Sequence, residues 1–360
     1  MINRAICMTL VGLLVFSTFA IGCLGDSEGS STITVIDMAG RTVEVPEDVE
    51  RIVGIEAGAV RMIAYLDAMD MLVGVEDVDQ VDQPMRPYTI AYNDLLNSLP
   101  AIGPIHGGEP ELITSVQPDV IFWTYCEAGE ANDLQTQTGI PVVAINFGDL
   151  ADQKDLFYDS LRLMGSIIDK EDRAEEVVDF FDSTLEDLDS RTSDIPEEER
   201  PEVYVGGIAY SGPHGITSTN GGYPPFLYCN ANNVATSEIG TVYADVDPEA
   251  VLEWDPEIVF VDTCSYALVQ ADLTNASAFG SLSVLQTGEI YKVMPYNWYT
   301  TNYGTVLVDA YYVGMTLYPE AFSDVTLEDK AAEIFTFLVG EDVFDEMNAN
   351  WDAFERMELS

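Results

Sequence analysis

Polar and apolar positions alternate over residues 32–36 and 41–45 on either side of Gly40, which predicts a β-hairpin. Residues 51–55 predict a strand, residues 59–68 carry apolar positions at helical spacing, and residues 71–75 predict a second strand. Strand, helix and strand in so few residues require a parallel crossover. Residues 77–108 are rich in Pro, Tyr and Asn and predict irregular structure. A helix near 132–138 and a strand over 142–146 complete a first α/β unit. From 152 to about 189 the period is helical throughout, with Leu156, Phe157, Leu161 and Met164 followed by Val177, Val178, Phe181 and Leu185. A break is expected near Asp169. The charged, proline-bounded stretch 196–201 forms a junction, and strand 203–208 opens a second unit. Residues 209–225 predict irregular structure, 290–294 a strand, and 305–317, 327–338 and 343–351 helices.

One phrase occurs twice. Glu109-Pro110-Glu111-Leu112, Gln117-Pro118-Asp119-Val120-Ile121-Phe122 and Cys126 are echoed 138 positions on. There the chain reads Asp247-Pro248-Glu249-Ala250, Asp255-Pro256-Glu257-Ile258-Val259-Phe260 and Cys264. The copies align without a gap over eighteen positions. Each reads as a helix with Pro in its first turn, a second Pro break, and a short apolar strand. No shorter period is visible, which excludes a solenoid. Two copies at this distance predict two similar α/β lobes with a cleft between them. The expected organisation is 1–22 signal peptide, 23–31 tether, 32–150 first lobe, 151–195 linking helical segment and 196–360 second lobe.

Charge sharpens this picture. The chain has 360 residues, with 63 Asp and Glu against 14 Lys and Arg, a net charge of −49. Apolar content of 47% and aromatic content of 10% argue for a folded protein rather than disorder. Acids spread evenly over a folded surface suit a high-salt habitat, where ions screen self-repulsion. Nucleic acid is excluded as a partner, since there is no basic stripe. Arg4 precedes an apolar run to Ile21, followed by Ala20-Ile21-Gly22-Cys23, which reads as an export signal with a lipidation site at Cys23. A retained anchor helix is the alternative, and either places the protein outside the cell at the membrane face. Cys126, Cys229 and Cys264 form no disulfide framework and have no zinc-ligand spacing, and their redox state is left open. Asn275-Ala276-Ser277 is a glycosylation sequon.

The order of elements resembles the extracytoplasmic solute-binding proteins of ABC importers for iron-siderophore, heme and vitamin B12 (cobalamin). The phrases that carry the resemblance are Asp37-Met38-Ala39-Gly40-Arg41-Thr42-Val43-Glu44-Val45-Pro46 followed by Glu50-Arg51-Ile52-Val53, the repeated phrase itself, and Gly139-Ile140-Pro141-Val142-Val143. It implies two Rossmann-like lobes joined by a long rigid helix, with the ligand held between them. It also assigns Glu111 and Glu249 to docking on arginines of the membrane permease. Without the resemblance, acids at helix starts only offset the helix dipole, by about 0.3–1 kcal/mol each. A lipid-anchored monomer is expected, working with a permease and its ATPase, with no intrinsic cofactor and an iron or cobalt chelate as ligand.

In parallel α/β lobes ligands sit beyond the carboxyl ends of the strands. That rule selects Glu56, Trp123, Tyr125 and Arg86 in the first lobe. In the second it selects Tyr210, His214, Tyr223, Trp298 and Tyr299. Aromatic walls suit a large flat or amphipathic ligand. His106 and His214, the only histidines, are too few for a site for free zinc or manganese. Axial coordination of a chelated metal by one His or Tyr is a further option. Cys126 and Cys264 stand at matched strand ends, as cleft thiols, as an inter-lobe bridge, or as small buried hydrophobes. The resemblance implies an Arg against an anionic chelate, a role open to Arg86. The scarcity of cations favours instead a neutral corrinoid, a heme-like compound or a cationic chelate. Two further functions are open to such a chain: an enzyme on the same scaffold, such as a chelatase or reductase, and an acidic surface-adhesion protein. No nucleophile elbow, phosphate loop, dinucleotide fingerprint or metal-hydrolase His pair supports the enzyme.

Overall fold

The structure is a computed structural model that describes residues 31–81, 84–210 and 212–359. The export signal, Cys23 and most of the tether lie outside the described residues. Among those residues no helix is long and apolar enough to cross a membrane.

The hairpin forms as its alternation predicts, with β1 (Thr32–Ile36) antiparallel to β2 (Thr42–Pro46). Four strands then build the first sheet: β3 (Ile52–Ile55), β4 (Leu72–Gly74), β5 (Val120–Thr124) and β6 (Val142–Ile145). All are parallel, in the spatial order β4-β3-β5-β6. Helices α1 (Ala59–Tyr65), α2 (Pro87–Ala91), α3 (Asn93–Ser98), α4 (Pro110–Ser115) and α5 (Ala128–Thr138) surround it. Short helices α2 and α3 occupy a region where the sequence predicts only irregular chain. Each is about one turn long, and short apolar periods carry little signal.

The helical stretch is two helices, α6 (Lys154–Ile167) and α7 (Glu171–Thr192). They break at Asp169, whose φ of 56° is left-handed and cannot continue a right-handed helix. At 1.5 Å per residue α7 is roughly 33 Å long, enough to run the length of a lobe. Arg162 grips Glu175 with two nitrogens at 2.7 and 2.9 Å, holding α6 against α7.

The second sheet repeats the first. Its strands are β7 (Glu202–Gly206), β9 (Asn232–Asn233), β11 (Ile258–Asp262) and β12 (Ile290–Val293). They lie parallel in the order β12-β11-β7-β9. Taken in chain order, both sheets have the arrangement second-first-third-fourth. The two copies of the repeated phrase become α4–β5 and α10 (Pro248–Trp254)–β11, equivalent places in the two lobes. A small ribbon, β8 (Ser218–Asn220) with β10 (Tyr243–Asp245), and helices α8 (Pro224–Tyr228) and α9 (Thr236–Ile239) fill the segment between β7 and α10. Helices α11 (Tyr266–Thr274) and α12 (Val284–Thr287) precede β12. After it come α13 (Tyr303–Leu317), α14 (Leu327–Val339) and α15 (Phe344–Trp351).

One apolar core runs through both lobes and the linking helices. Tyr303, at the start of α13, stacks on Phe147 of the first lobe at 4.7 Å and meets Phe157 of α6 at 4.8 Å. Phe157 in turn packs edge-on to Phe181 of α7 at 5.3 Å. Burying each such ring is worth about 1.5–3 kcal/mol, and the pair geometry adds to it. Helix α14 of the second lobe reaches across to pack on α1 and α2 of the first. Arg173 of α7 joins them, donating to the carbonyls of Tyr65 and Phe337 while stacking on the Phe337 ring. A shared core and these ties leave little freedom for the lobes to hinge.

Candidate functional site

In both sheets the strand order reverses at the first strand. The crevice at such a switch point opens at the carboxyl ends of β3 and β5 in one lobe and of β7 and β11 in the other. These ends face one cleft of about 730 Å³. Glu56 and Ala57 follow β3, Tyr125 follows β5, Ala209 and Tyr210 follow β7, and Cys264 follows β11. Val78, Ile105 and His106 close the first-lobe side, and the turn Asn297-Trp298-Tyr299-Thr300 closes the second.

The cleft is unusual in its backbone. Glu56, His106, Tyr125, Tyr299 and Thr300 have φ of 71°, 75°, 56°, 51° and 60°, all left-handed without being glycine. Each such residue costs roughly 1–2 kcal/mol, and strain of this kind collects at binding sites when neighbours enforce it. The enforcing contacts are visible. Glu76 is fully buried and accepts from the N–H of Glu56 at 2.9 Å and of Gly107 at 2.7 Å. It also accepts from the Tyr299 hydroxyl at 2.5 Å. Burial pushes the Glu76 carboxyl above its ordinary range despite these donors. Burial, with the Glu76 charge beside it, holds the Tyr299 phenol far above its own range. Arg61 of α1, also buried, donates to the carbonyls of Trp298, Tyr299 and Thr301 at 3.3, 3.0 and 2.9 Å. Tyr125 and Thr300 exchange a hydrogen bond between hydroxyls at 2.8 Å. The turn 298–301 of the second lobe is thus fastened at several points to the first. Gly58, at φ 94° before α1, lets the Phe147 ring approach the backbone, since a Cβ there would lie 2.3 Å from that ring.

Of the residues selected from sequence, Glu56, Tyr125, Tyr210, Trp298 and Tyr299 lie at the cleft. His106 does too, its Nδ1 2.5 Å from a Glu56 carboxylate oxygen. Arg86 does not. Its guanidinium is fully buried against Asp79 at 3.2 Å and the carbonyls of Val78 and Val81, where it fixes the loop behind the cleft. Tyr223 is buried in the core against Phe226 and Tyr296. Trp123 points from β5 into the apolar cluster beneath the sheet, because alternate residues of a strand face opposite sides. His214 sits beside the cleft lining, its Nε2 2.7 Å from the Tyr210 carbonyl oxygen and its ring near Tyr243. Sequence reasoning missed Asn297, Thr300, Val78 and Ile105, and missed Arg61 and Glu76 as the groups that hold the turn. Arg61 and Glu76 were visible only as a charge within an apolar helix and at a strand end, a weak signal taken alone.

The cysteines separate. Cys264 lines the cleft, whereas Cys126 bonds back to the Trp123 carbonyl and packs in the cluster under the first sheet. All three described cysteines are free thiols, so no bridge joins the lobes. Burial raises Cys126 to about 12 and Cys264 to about 11. Among the described residues no group of three or more His, Cys, Asp or Glu could hold a metal ion directly. Nor does any unpaired arginine or lysine line the cleft. Glu111 and Glu249 are both exposed in the first turns of α4 and α10, each directly after the helix-opening proline. Neither makes a side-chain hydrogen bond or ion pair among the described residues.

Comparison with known proteins matches this architecture. A family model described as periplasmic binding protein matches residues 52–296, most of both lobes. The molybdate-binding protein MolA of Haemophilus influenzae is 24% identical over 334 residues, covering 86% of this chain and 92% of that protein. Its molybdate-bound structure superposes with a TM-score of 0.65 at 21% identity, covering 86% of this chain and 98% of that one. A periplasmic solute-binding protein from Veillonella parvula gives a TM-score of 0.71 at 18% identity, covering 90% and 97%. CeuE of Helicobacter pylori with Ni(II) bound gives 0.61 at 14%, covering 89% and 99%. With both lobes matched by the family model and the fold shared along nearly its whole described length, this chain belongs to the periplasmic binding protein family.

Proposed function

We propose that this chain is the extracytoplasmic solute-binding lipoprotein of an ABC importer, and that its cargo is a metal chelate without strong negative charge: a corrinoid, a heme-like compound or an iron-siderophore complex. The observation that carries the reading is the cleft itself. It is roomy enough for an organic chelate, since ligand pockets run to about 300–1,000 Å³. Its walls are Tyr125, Tyr210, Trp298 and Tyr299, with Glu56 and His106 as the polar groups. Aromatic faces stack on a macrocycle or a catecholate-like ring. The few cations near it, Arg61 and Arg86, are buried and bonded to carbonyls or to Asp79, so neither is free to neutralise a strongly anionic cargo. Capture is stoichiometric, with no bond made or broken. Cys23 carries the lipid, and Glu111 and Glu249 meet the permease, one from each lobe.

A second reading, a small oxyanion, is favoured by the likeness to a molybdate-binding protein and by one geometric detail. Arg61 draws the carbonyls of Trp298 and Tyr299 towards itself, so the N–H groups of the same trans peptides, those of Tyr299 and Thr300, point the opposite way. Two N–H groups on the far side of a turn can receive an anion. The two readings separate on the absorption spectrum and metal content of protein purified from its native membrane. Corrinoid, heme and ferric siderophore each give visible bands. A colourless protein that retains molybdenum would replace the chelate with the oxyanion.

A further inference from the structure

The two copies of the repeated phrase differ where their strands meet the cleft. The last residue of β5 is Thr124, and its counterpart 138 positions on, the last of β11, is Asp262. Both are buried, and both fasten their strand end to the loop that follows the first strand of the same sheet. In the first lobe Thr124 Oγ1 donates to the Ala57 carbonyl at 2.8 Å. In the second the direction is reversed. The Ala209 N–H donates to Asp262 Oδ2 at 3.2 Å, and the Cys264 N–H donates to Oδ1 at 2.9 Å. Ala57, Ala209 and Cys264 all line the cleft. One position thus does the same job in both lobes, with a neutral hydroxyl in one and a titratable carboxyl in the other.

The carboxyl reaches further than the hydroxyl. The Ala209 carbonyl accepts from Asn297 Nδ2 at 3.2 Å, so this residue joins Asp262 on one side to the turn 297–300 on the other. Tyr210 comes next in the chain, exposed at the cleft and stacked on Tyr243 with ring centroids 4.9 Å apart. Its place in the wall depends on the peptide that Asp262 holds.

We propose that Asp262 is a positioning residue for cargo capture: its ionised carboxylate fixes the second-lobe wall of the cleft, and protonation loosens that wall. The inference rests on capture in the cleft as read above. Hydrogen bonds to a charged acceptor are roughly twice as strong as those to a neutral one. A proton turns one of the two oxygens into a donor, and the N–H that faces it loses its acceptor. Thr124 has no second state of this kind, so the first-lobe wall does not respond. Among the described residues Asp262 forms no ion pair, and burial raises its carboxyl to about 7. The titratable groups facing it are Asp309 of α13, Tyr296 after β12 and Tyr223 before α8, with Cys264 beside it. None is a cation, and burial holds the two phenols and the thiol neutral through this range. Asp309 has the single N–H of Met294 against the two on Asp262, so Asp262 is the acid of this pair that ionises. Ionisation costs the fold some stability, as any buried charge does, while it tightens the wall locally.

Two measurements on the whole chain at constant ionic strength test this. The first needs no cargo: hydrogen exchange at the Ala209 and Cys264 amides, read by NMR and corrected for the intrinsic pH dependence of exchange. Protection should rise roughly five- to tenfold between about pH 5.5 and pH 8. The Ile121 amide, which donates to the Pro141 carbonyl in the first lobe, should show no such step. Asp262→Asn, which cannot ionise, should abolish the step at both amides. A parent protein without the step, or a variant that keeps it, would overturn the proposal whatever the cargo is. The second measurement is calorimetric titration with cyanocobalamin, whose own charge is constant over this interval. Its affinity should be about fivefold or more tighter at the higher pH in the parent and equal at both pH values in Asp262→Asn. Equal affinities in the parent would overturn the link to capture. Cyanocobalamin that fails to bind, with the exchange step present, would support the pH-sensitive wall and count against the corrinoid reading alone.

Discussion

The Tyr299 hydroxyl, carried by the second lobe, donates to the buried Glu76 carboxylate of the first at 2.5 Å. The same carboxylate holds the Glu56 and Gly107 N–H groups, so one buried acid shapes both walls of the cleft. Tyr299→Phe removes this donor and leaves that buried carboxylate oxygen with the Glu56 N–H alone. A loss of about 1–3 kcal/mol in unfolding free energy is expected, read from urea midpoints. Acrylamide quenching of Trp298, measured against a Trp298→Phe reference, should increase as the turn loosens. An unchanged midpoint with unchanged quenching would show that the bond does not hold the turn.

Arg61 makes a sharper version of the same test. Its guanidinium serves three carbonyls of the turn and is stacked near the rings of Tyr88 and Phe147. Arg61→Met keeps much of the apolar stem and removes the donors, with an expected cost of about 2–4 kcal/mol. Arg86→Met should also destabilise, since it strands the buried Asp79, but should leave Trp298 quenching as it was. Equal quenching changes in both would contradict the assignment of the turn to Arg61.

Asp262 gives a pH signature. Burial raises its folded pKa to about 7, against an unfolded value of about 3.9. Between those values the folded state binds more protons than the unfolded state. Its contribution is therefore greatest at low pH and is lost as pH rises towards 7, by a few kcal/mol. Asp182 and Asp187, held below their ordinary range, act in the opposite sense and only at lower pH. Asp262→Asn should flatten the fall in Tm between pH 5 and about 7.5 in constant salt. A parent protein whose Tm rises across that interval, or a variant with the same slope, would be inconsistent with this.

Glu111 and Glu249 stand at matched positions after the prolines that open α4 and α10. If they dock on permease arginines, Glu111→Arg with Glu249→Arg should abolish uptake of a labelled cargo in cells. Cargo affinity and Tm of the purified protein should stay within about 0.5 kcal/mol of the parent. Uptake that survives the double reversal would remove the docking role.

What was legible in the sequence was whatever repeats or keeps a period. The phrase at Pro110 and Pro248 predicted two like lobes, and both sheets show one strand order. The helical run with its break near Asp169 appears as α6 and α7. The cleft was legible only in part. Strand ends follow a topological rule, so Glu56 and Tyr125 could be picked out, as could the aromatic turn at Trp298. Loop side chains follow no such rule. Arg86 and Tyr223 looked like cleft residues because they lie in polar, irregular stretches, yet each folds inward, Arg86 to Asp79 and Tyr223 to Tyr296. Left-handed φ at Tyr299 and Thr300 is held by contacts from the opposite lobe, and at Glu56 by the Glu76 carboxylate twenty residues along the chain, which no local pattern encodes.

The central claim, capture of a metal chelate between the lobes, is tested most directly by calorimetric titration of the purified chain. Cyanocobalamin, hemin, a ferric siderophore and molybdate are each added to the parent protein and to a Tyr125→Ala, Trp298→Ala variant. One chelate should bind at one site per chain, with affinity falling by about tenfold or more in the variant. Binding of molybdate alone, or of a chelate with affinity unchanged by loss of both rings, would contradict the account.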